Sequence, residues 1–206
     1  MSDTQETQKA EQALAEHVAR LASMTFPHAL GIGDRAPSFE LPNADGGMIR
    51  LSALLEGGPV VLVFYRGAWC PYCNAQLREL HSALPEISAL GAALAAVSPQ
   101  TPDNSAAFAR DAELGFEVLS DLNSYVASDY GLTFEFAEAD KALFVAFGND
   151  LTQVNGTDAW ILPAPATYVI AQDGRIEYAR IDPDYTKRPD PREVIDALRR
   201  LTARST

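Results

Sequence analysis

The sequence predicts an α/β fold in which helices cover both faces of a mixed central sheet. Residues 59–65 form a continuous apolar run rich in β-branched side chains, which is typical of a strand buried on both faces. A helical pattern and a second apolar strand at 92–98 follow it, and this order predicts a right-handed βαβ unit. Farther on, Gln172-Asp173-Gly174 separates two strand patterns and predicts a β-hairpin.

Length and charge narrow the class of protein. A chain of 206 residues favours one domain with additions over two full domains. Its 28 acidic and 16 basic side chains leave no basic footprint, so neither a nucleic acid nor an anionic membrane is expected as a partner. The polar start lacks the features of a secretory signal, and no stretch approaches the roughly 18 apolar residues of a membrane span. We therefore expect a cytoplasmic protein.

Residues 1–30 are predicted to be a helical extension that precedes the main domain, residues 31–206. Within a helix predicted at 3–25, Leu14, Val18 and Leu21 recur at helical spacing. A single apolar stripe does not show whose surface it covers. Packing on the same chain and an arm that forms a homodimer therefore both remain open.

The remaining elements follow from periodicity and turn residues. They are a strand pair within 31–51, helices at 102–114, 122–131 and 191–203, and strands at 116–119, 167–170 and 175–181. Residues 132–163 fit no pattern, because aromatic side chains are scattered there among turn residues. We interpret this segment as an insertion before the second β-hairpin, with aromatics that can wall a pocket.

The two cysteines lie three positions apart, where the buried strand runs into a helix. Cys70 falls at or just before the helix N-terminus, and Pro71 suits the first turn. The free N–H groups and the helix dipole there favour a thiolate at Cys70. Cys73 lies one turn inside, on the apolar face with Leu77, and is expected to be less exposed and harder to ionise. The pattern thus predicts an exposed Cys70 that attacks and a Cys73 that resolves the adduct as a disulfide.

Metal binding, pairing with a histidine base and a purely structural role are the other possible uses of the two cysteines. A metal site needs further ligands, and His17, His28 and His81 lack metal-binding spacing, so no metal is expected. His81 is interpreted as a surface residue, two turns beyond Cys73 and too far to serve as a base. Two structural cysteines without chemistry remain an alternative. No dinucleotide fingerprint is visible, so no bound cofactor is expected.

Four short motifs follow one another along the chain. They are Gly33-Asp34-Arg35-Ala36-Pro37-Ser38-Phe39, Val97-Ser98 with Asp103, Leu119-Ser120-Asp121, and Ala166-Thr167-Tyr168-Val169-Ile170. Together they make residues 31–203 resemble the peroxiredoxin-like branch of the alkyl hydroperoxide reductase and thiol-specific antioxidant group. This resemblance implies a thioredoxin-like fold, a three-layer α/β/α arrangement with a mixed sheet.

The chain departs from the pattern of this group at the active site. On the family's spacing Cys73 takes the peroxidatic place, Cys70 the threonine place and Arg66 the proline place, while Pro165 stands where a second arginine is usual. Arg66 is therefore a candidate for the missing cation. Thioredoxin itself resembles the chain at Trp69-Cys70-Pro71-Tyr72-Cys73, with Pro165 in the cis-proline place. The resemblance leaves the nucleophile open between the two cysteines and implies a supporting set of Trp69, Pro71, Tyr72, Arg66, Pro165 and Thr167.

The resemblance implies a thiol-dependent peroxidase that reduces hydrogen peroxide or organic hydroperoxides through a dithiol/disulfide cycle. A thioredoxin-like protein or glutathione is the reductant it implies. One alternative is a thiol–disulfide oxidoreductase that acts on protein disulfides. Another is a non-catalytic redox-sensing module, because a fold alone does not fix function.

Overall fold

The computed structural model describes residues 3–204 and contains nine strands and eight α-helices in that range. The strands are β1 (Glu40–Pro42), β2 (Met48–Arg50), β3 (Val60–Phe64), β4 (Ala93–Ser98), β5 (Glu117–Ser120), β6 (Thr133–Glu135), β7 (Ile161–Pro163), β8 (Ala166–Ile170) and β9 (Ile176–Ile181). The helices are α1 (Asp3–Ala22), α2 (Leu51–Glu56), α3 (Pro71–Ala89), α4 (Pro102–Asp111), α5 (Tyr125–Asp129), α6 (Glu138–Ala146), α7 (Leu151–Asn155) and α8 (Pro191–Arg204). None of these helices is long and apolar enough to cross a membrane.

The central sheet has the strand order β5-β4-β3-β8-β9. Strands β3, β4 and β5 are parallel neighbours, whereas β8 runs antiparallel to both β3 and β9. The predicted βαβ unit (β3-α3-β4) and the predicted hairpin (β8-β9) are therefore confirmed. This pairing places the C-terminal end of β3, where the cysteine loop begins, beside the start of β8 and next to the end of β9.

Side chains of β3 alternate between two cores because the strand is buried on both faces. Val61 and Val63 face a core shared with α3 and α8, and Val60 and Leu62 face a second core. Leu77 of α3 is fully buried in the first core. The sheet with helices on both faces confirms the three-layer prediction.

Helix α1 packs against the same chain. Its His17 is buried, and His17 Nδ1 lies 3.2 Å from Oδ1 of Asp140 on α6. Arg20, one turn farther, also pairs with Asp140. The rings of Phe136 and Phe144 surround His17 at centroid distances of 5.4 and 4.9 Å. These contacts favour packing on the same domain over a free arm.

The segment 132–163 forms a small two-stranded sheet, β6-β7, with α6 and α7 between its strands. The sequence pattern does not predict how the aromatic side chains of this segment pack. Phe136 stacks near Phe134 with centroids 5.8 Å apart and meets Trp160 at 5.7 Å. The aromatic cluster lets the insertion dock on the main body beside α1.

The helix predicted at 122–131 is interrupted. A 3-10 turn, Leu122–Ser124, comes first, and both Asn123 and Ser124 adopt left-handed backbone angles. The carboxylate of Asp121 accepts hydrogen bonds from the backbone N–H groups of Val126 and Ala127, at 3.0 and 2.9 Å. Because Asp121 satisfies the amides of the first turn of α5, the helix starts after the kink. The short helix α2 was not predicted from the sequence.

Helix α3 carries both cysteines at its start and continues past Pro85 to Ala89. The helix ends about one turn after Pro85, a residue type that disfavours a helix interior. His81 on this helix is half-buried rather than fully at the surface. Its Nδ1 accepts a hydrogen bond from the backbone N–H of Gly115 at 3.1 Å, which ties α3 to the loop before β5.

Asp140→Ala is expected to lower the free energy of unfolding by about 1–3 kcal/mol, because it leaves buried His17 and exposed Arg20 without their shared carboxylate. Glu138→Ala on the same helix is the control, since its ion pair with Lys141 is exposed and contributes little. Urea unfolding followed by circular dichroism measures both. Equal effects of the two variants would show that the α1–α6 contact does not stabilise the fold.

Candidate active site

A tight loop delivers Cys70 to the start of α3. Gly67 has a φ of 142°, and a Cβ placed there would lie 2.5 Å from Trp69 Nε1, so the loop requires glycine at this position. The Cys70 N–H donates to the Gly67 carbonyl at 3.1 Å. Cys70 is the N-cap residue and Pro71 the first residue of the helix, as predicted. Cys73 therefore lies one turn inside α3.

Both thiols are buried. Cys70 is 1% exposed and Cys73 0%. The prediction of an exposed Cys70 is wrong, because the side chains around the loop, including Tyr185 from the loop between β9 and α8, enclose it. In this reduced form both cysteines are free thiols.

The order of ionisation is the reverse of the predicted one. Burial opposes the charge on Cys73, but a hydrogen bond from Cys70 and the positive charges of Arg188 and Arg66 together lower its pKa below the ordinary value. The hydrogen bond to Cys73 and burial raise the pKa of Cys70. The helix N-terminus alone would favour a thiolate at Cys70, but Cys70 serves as hydrogen-bond donor, and Arg188 lies beside Cys73.

Arg188 is the functional residue that the sequence analysis missed. Its Nη2 lies 3.3 Å from Cys73 Sγ, a charge-assisted contact to a buried sulfur. Arg188 belongs to the loop between β9 and α8, where the carboxylate of Asp184 accepts from the backbone N–H of Thr186 at 3.1 Å and forms a turn. Its Nη1 also donates to the Lys187 carbonyl at 2.7 Å. The only hint in the sequence was Pro165, where the family pattern places an arginine.

Arg66 is a second cation in the site, as the sequence analysis suggested. It is 1% exposed, and its guanidinium lies 3.8 Å from the ring centroid of Tyr185 and 4.7 Å from that of Trp69. Its Nη1 lies 3.8 Å from Cys70 Sγ, while Nε and Nη2 have no hydrogen-bond partner within residues 3–204. Aromatic faces thus stabilise the buried charge in place of a carboxylate, which keeps it available to the thiols.

Three of the predicted supporting residues surround the dithiol or tie its helix to the sheet. Trp69 covers Arg66 and meets Phe144 edge-on at 5.6 Å. The ring of Tyr72, at the exposed side of the site, meets Tyr185 at 5.8 Å. Thr167 on β8 accepts a hydrogen bond at 3.1 Å from the amide of Gln76, one turn beyond Cys73 on α3.

Pro165 does not take the cis-proline role suggested by the comparison with thioredoxin. No peptide bond in the described part of the chain is cis. Pro165 is buried, and its carbonyl accepts from the backbone N–H of Asp182 at 2.8 Å. Pro165 therefore anchors the start of the loop that carries Arg188 and Tyr185.

A cavity of about 180 Å³ opens beside Cys70. The insertion contributes to its wall, as the aromatic pattern suggested, and so does α1. Its lining is predominantly apolar and consists of Leu14, Arg66, Trp69, Cys70, Pro71, Tyr72, Phe144, Phe147, Asn149 and Tyr185. Cys70 is among these lining residues and Cys73 is not, so the cavity meets the dithiol at Cys70.

The fold and the site define a class of protein. It is an α/β domain in which two buried cysteines at the start of a helix lie close to two arginines. Residues 32–179 match the model of the AhpC/TSA family, and the chain belongs to that family. The protein Rv2521 of Mycobacterium tuberculosis, which is named as a peroxiredoxin, is 32% identical over 158 residues, 76% of this chain and 88% of its own length. Peroxiredoxin Bcp of Escherichia coli is 32% identical over 103 residues, 50% of this chain and 65% of its own.

Solved structures share the fold. The crystal structure of peroxidoxin BcpB from Mycobacterium tuberculosis matches with a TM-score of 0.66 at 24% identity, over 84% of this chain and 98% of that one. A peroxiredoxin-like protein from Aquifex aeolicus matches with a TM-score of 0.66 at 19% identity, over 84% and 88% of the two chains. These matches confirm the thioredoxin-like fold that the resemblance implied.

Arg188→Gln is expected to raise the pKa of the Cys73 thiol by about 1 or more, because it removes a positive charge 3.3 Å from the sulfur. The thiolate then forms at higher pH, and less of it is present at neutral pH. Ultraviolet absorbance of the thiolate, titrated in a Cys70→Ser background, measures this ionisation alone.

Arg192→Gln is the matched control, since Arg192 is an exposed arginine on the adjoining first turn of α8. Its titration is expected to follow that of the parent protein. Superimposable titrations of the Arg188 and Arg192 variants would show that Arg188 does not stabilise the thiolate.

Proposed function

We propose that the protein is a thiol-dependent peroxidase that reduces hydrogen peroxide or organic hydroperoxides. Membership of the AhpC/TSA family and the peroxiredoxin names of its relatives support this activity over the two alternatives. The observation that carries it is the position of Cys73, whose buried sulfur faces Arg188 at 3.3 Å and whose ionisation is favoured. A thiolate held in a buried, cationic pocket is the reactive form of cysteine toward an O–O bond.

The proposed cycle starts with Cys73. Its thiolate attacks the terminal oxygen of the hydroperoxide, so an S–O bond forms and the O–O bond breaks. The leaving alkoxide, or hydroxide from hydrogen peroxide, takes up a proton, and Cys73 becomes a sulfenic acid. Arg188 and Arg66 stabilise negative charge as it moves from sulfur to oxygen. The peroxide is thereby reduced by two electrons and Cys73 oxidised by two.

Cys70 then resolves the sulfenic acid. Its sulfur attacks the Cys73 sulfur, the S–S bond forms, and water leaves. Cys70 suits this role because it lies one turn from Cys73, and its thiol proton leaves with the sulfenic oxygen as water when the S–O bond breaks. The two thiols lie close enough for each to shift the pKa of the other.

Reduction by an external thiol is expected to start at Cys70. Cys70 lines the cavity, and Cys73 is the better leaving group because its thiolate is the stabilised one. The mixed disulfide would therefore form on Cys70.

The family favours a thioredoxin-type reductant. Reduction by glutathione, a cytoplasmic location and a homodimer stay predictions.

Single variants of the two cysteines test the proposed function. Competition with catalase measures how fast hydrogen peroxide oxidises the reduced protein. The wild type is expected to react far faster than free cysteine, and Cys73→Ser to fall to the rate of an ordinary thiol. Cys70→Ser keeps the serine hydroxyl as a hydrogen-bond donor, so it is expected to retain a fast first oxidation but not turnover with thioredoxin.

A wild-type rate no greater than that of free cysteine would overturn the peroxidase function. Insulin-disulfide reduction then tests the thiol–disulfide oxidoreductase alternative. If instead Cys73→Ser retained the fast reaction and Cys70→Ser lost it, the peroxidase function would stand with the roles of the two cysteines exchanged.

A further inference from the structure

We propose that Tyr185 is a positioning residue for the resolving step, because its ring holds Arg66 beside the sulfur of Cys70. The inference rests on the proposed peroxidase cycle and goes beyond it, since the cycle alone does not say what makes Cys70 reactive. Tyr185 lies in the loop between β9 and α8 and outside residues 32–179, the part of the chain that matches the family model. Family membership therefore does not supply this residue.

The guanidinium of Arg66 is held mainly by aromatic rings. Its central carbon lies 3.8 Å from the ring centroid of Tyr185, compared with 4.7 Å for Trp69 and 5.5 Å for Phe144. Its Nη1 lies 3.8 Å from Cys70 Sγ, and its Nε and Nη2 have no hydrogen-bond partner among the described residues. Tyr185 is the nearest of the three rings, so its loss would leave the guanidinium free to move away from Cys70.

Tyr185 is itself packed firmly in place. It is 5% exposed, and its ring centroid lies 5.8 Å from that of Tyr72 and 5.9 Å from that of His17. The preceding residue, Asp184, forms a turn in which its carboxylate accepts from the backbone N–H of Thr186. A ring held by contacts from α1, α3 and its own loop keeps one orientation, which a positioning residue requires.

Oxidation of Cys73 changes the charges that act on Cys70. In the resting site the hydrogen bond to Cys73, burial and the charge of Cys73 raise the pKa of Cys70, whereas the charge of Arg66 lowers it. The sulfenic acid is neutral, so the negative charge of Cys73 is gone when the resolving step begins, and the positive charge of Arg66 remains. Arg66 then favours loss of the Cys70 proton as the S–S bond forms and the S–O bond breaks, and that proton leaves with the sulfenic oxygen as water.

Charged and titratable groups surround Cys70 on several elements. They are Cys73 and Tyr72 on α3, Arg66 after β3, Tyr185, and the His17–Asp140 pair of α1 and α6 beyond Tyr185. Burial lowers the pKa of His17, so its ring is neutral above neutral pH and Arg66 is the cation of this set. A change in the pH profile of the resolving step therefore reports a change in the contact between Arg66 and Cys70.

The experiment follows tryptophan fluorescence by stopped flow after reduced protein is mixed with hydrogen peroxide, without any reductant present. The phase whose rate rises with peroxide concentration is the oxidation of Cys73. The phase whose rate does not, and which Cys70→Ser lacks, is the resolving step. Tyr185→Leu is expected to slow the resolving step about fivefold or more, by a larger factor than the oxidation step, and to move its pH profile to higher pH.

Three further variants separate the ring face from other properties of Tyr185. Tyr185→Phe keeps the ring without the hydroxyl and is expected to retain the wild-type ratio of the two rates. Tyr185→Met fills the space without a ring and is expected to behave like Tyr185→Leu, so the test does not depend on one variant folding. Tyr125→Leu is the matched control, because Tyr125 is 70% exposed and does not line the cavity beside Cys70.

The outcomes that overturn the inference differ from the one that overturns the proposed function. An unchanged resolving step in Tyr185→Leu and Tyr185→Met overturns the inference, and so does equal slowing of both phases, which would make Tyr185 a structural residue of the whole site. A Tyr185→Phe variant as slow as Tyr185→Leu also overturns it, because the hydroxyl would then act instead of the ring. A wild type that reacts with hydrogen peroxide no faster than free cysteine would refute the proposed function and the inference with it.

Discussion

The buried sulfur of Cys73, which contacts Arg188 and is influenced by the charge of Arg66, is the feature on which the rest of the site depends. Burial alone would favour the neutral thiol, because a buried sulfur is shielded from the bulk water that would stabilise its charge. Arg188, 3.3 Å away, and Arg66 reverse that preference. The site thus combines the low solvent exposure that strengthens electrostatic interactions with the cations needed to use them.

The two cations are held by contacts of different kinds. Arg66 leaves β3 and lies against the faces of aromatic rings, with Tyr185 the nearest at 3.8 Å. Arg188 comes from the loop between β9 and α8, a loop shaped by an Asp184 turn. Strand β8 runs antiparallel to both β3 and β9, so the C-terminal ends of β3 and β9 lie at the same end of the sheet. The two loops that follow these strands therefore meet there. The same loop that supplies Arg188 also supplies Tyr185, so one segment supports both cations.

Much of this arrangement could be predicted from residue patterns, and the failures have physical causes. The buried run of β3, the βαβ unit, the β8–β9 turn and the placement of the cysteines at a helix start follow from local periodicity and turn chemistry. The ionisation order did not, because the helix terminus and nearby Arg66 were the electrostatic sources visible locally, whereas Arg188 is 115 residues from Cys73. A loop without periodicity gives no indication of where its side chains point. The Asp121 cap that shifts the start of α5 was missed for a related reason, since its effect depends on hydrogen-bond geometry.

The most direct test of the site is to locate the first oxidised sulfur. Reduced protein with the Cys70→Ser substitution, and wild-type protein for comparison, would be exposed to one equivalent of hydrogen peroxide in the presence of dimedone, which labels sulfenic acids. Mass spectrometry of the peptide that contains residues 70–73 then identifies the labelled residue. Dimedone on Cys73 is the expected result. Dimedone on Cys70 of the wild type, with none on Cys73 of the variant, would contradict the assignment of Cys73 as the thiolate that the two arginines stabilise.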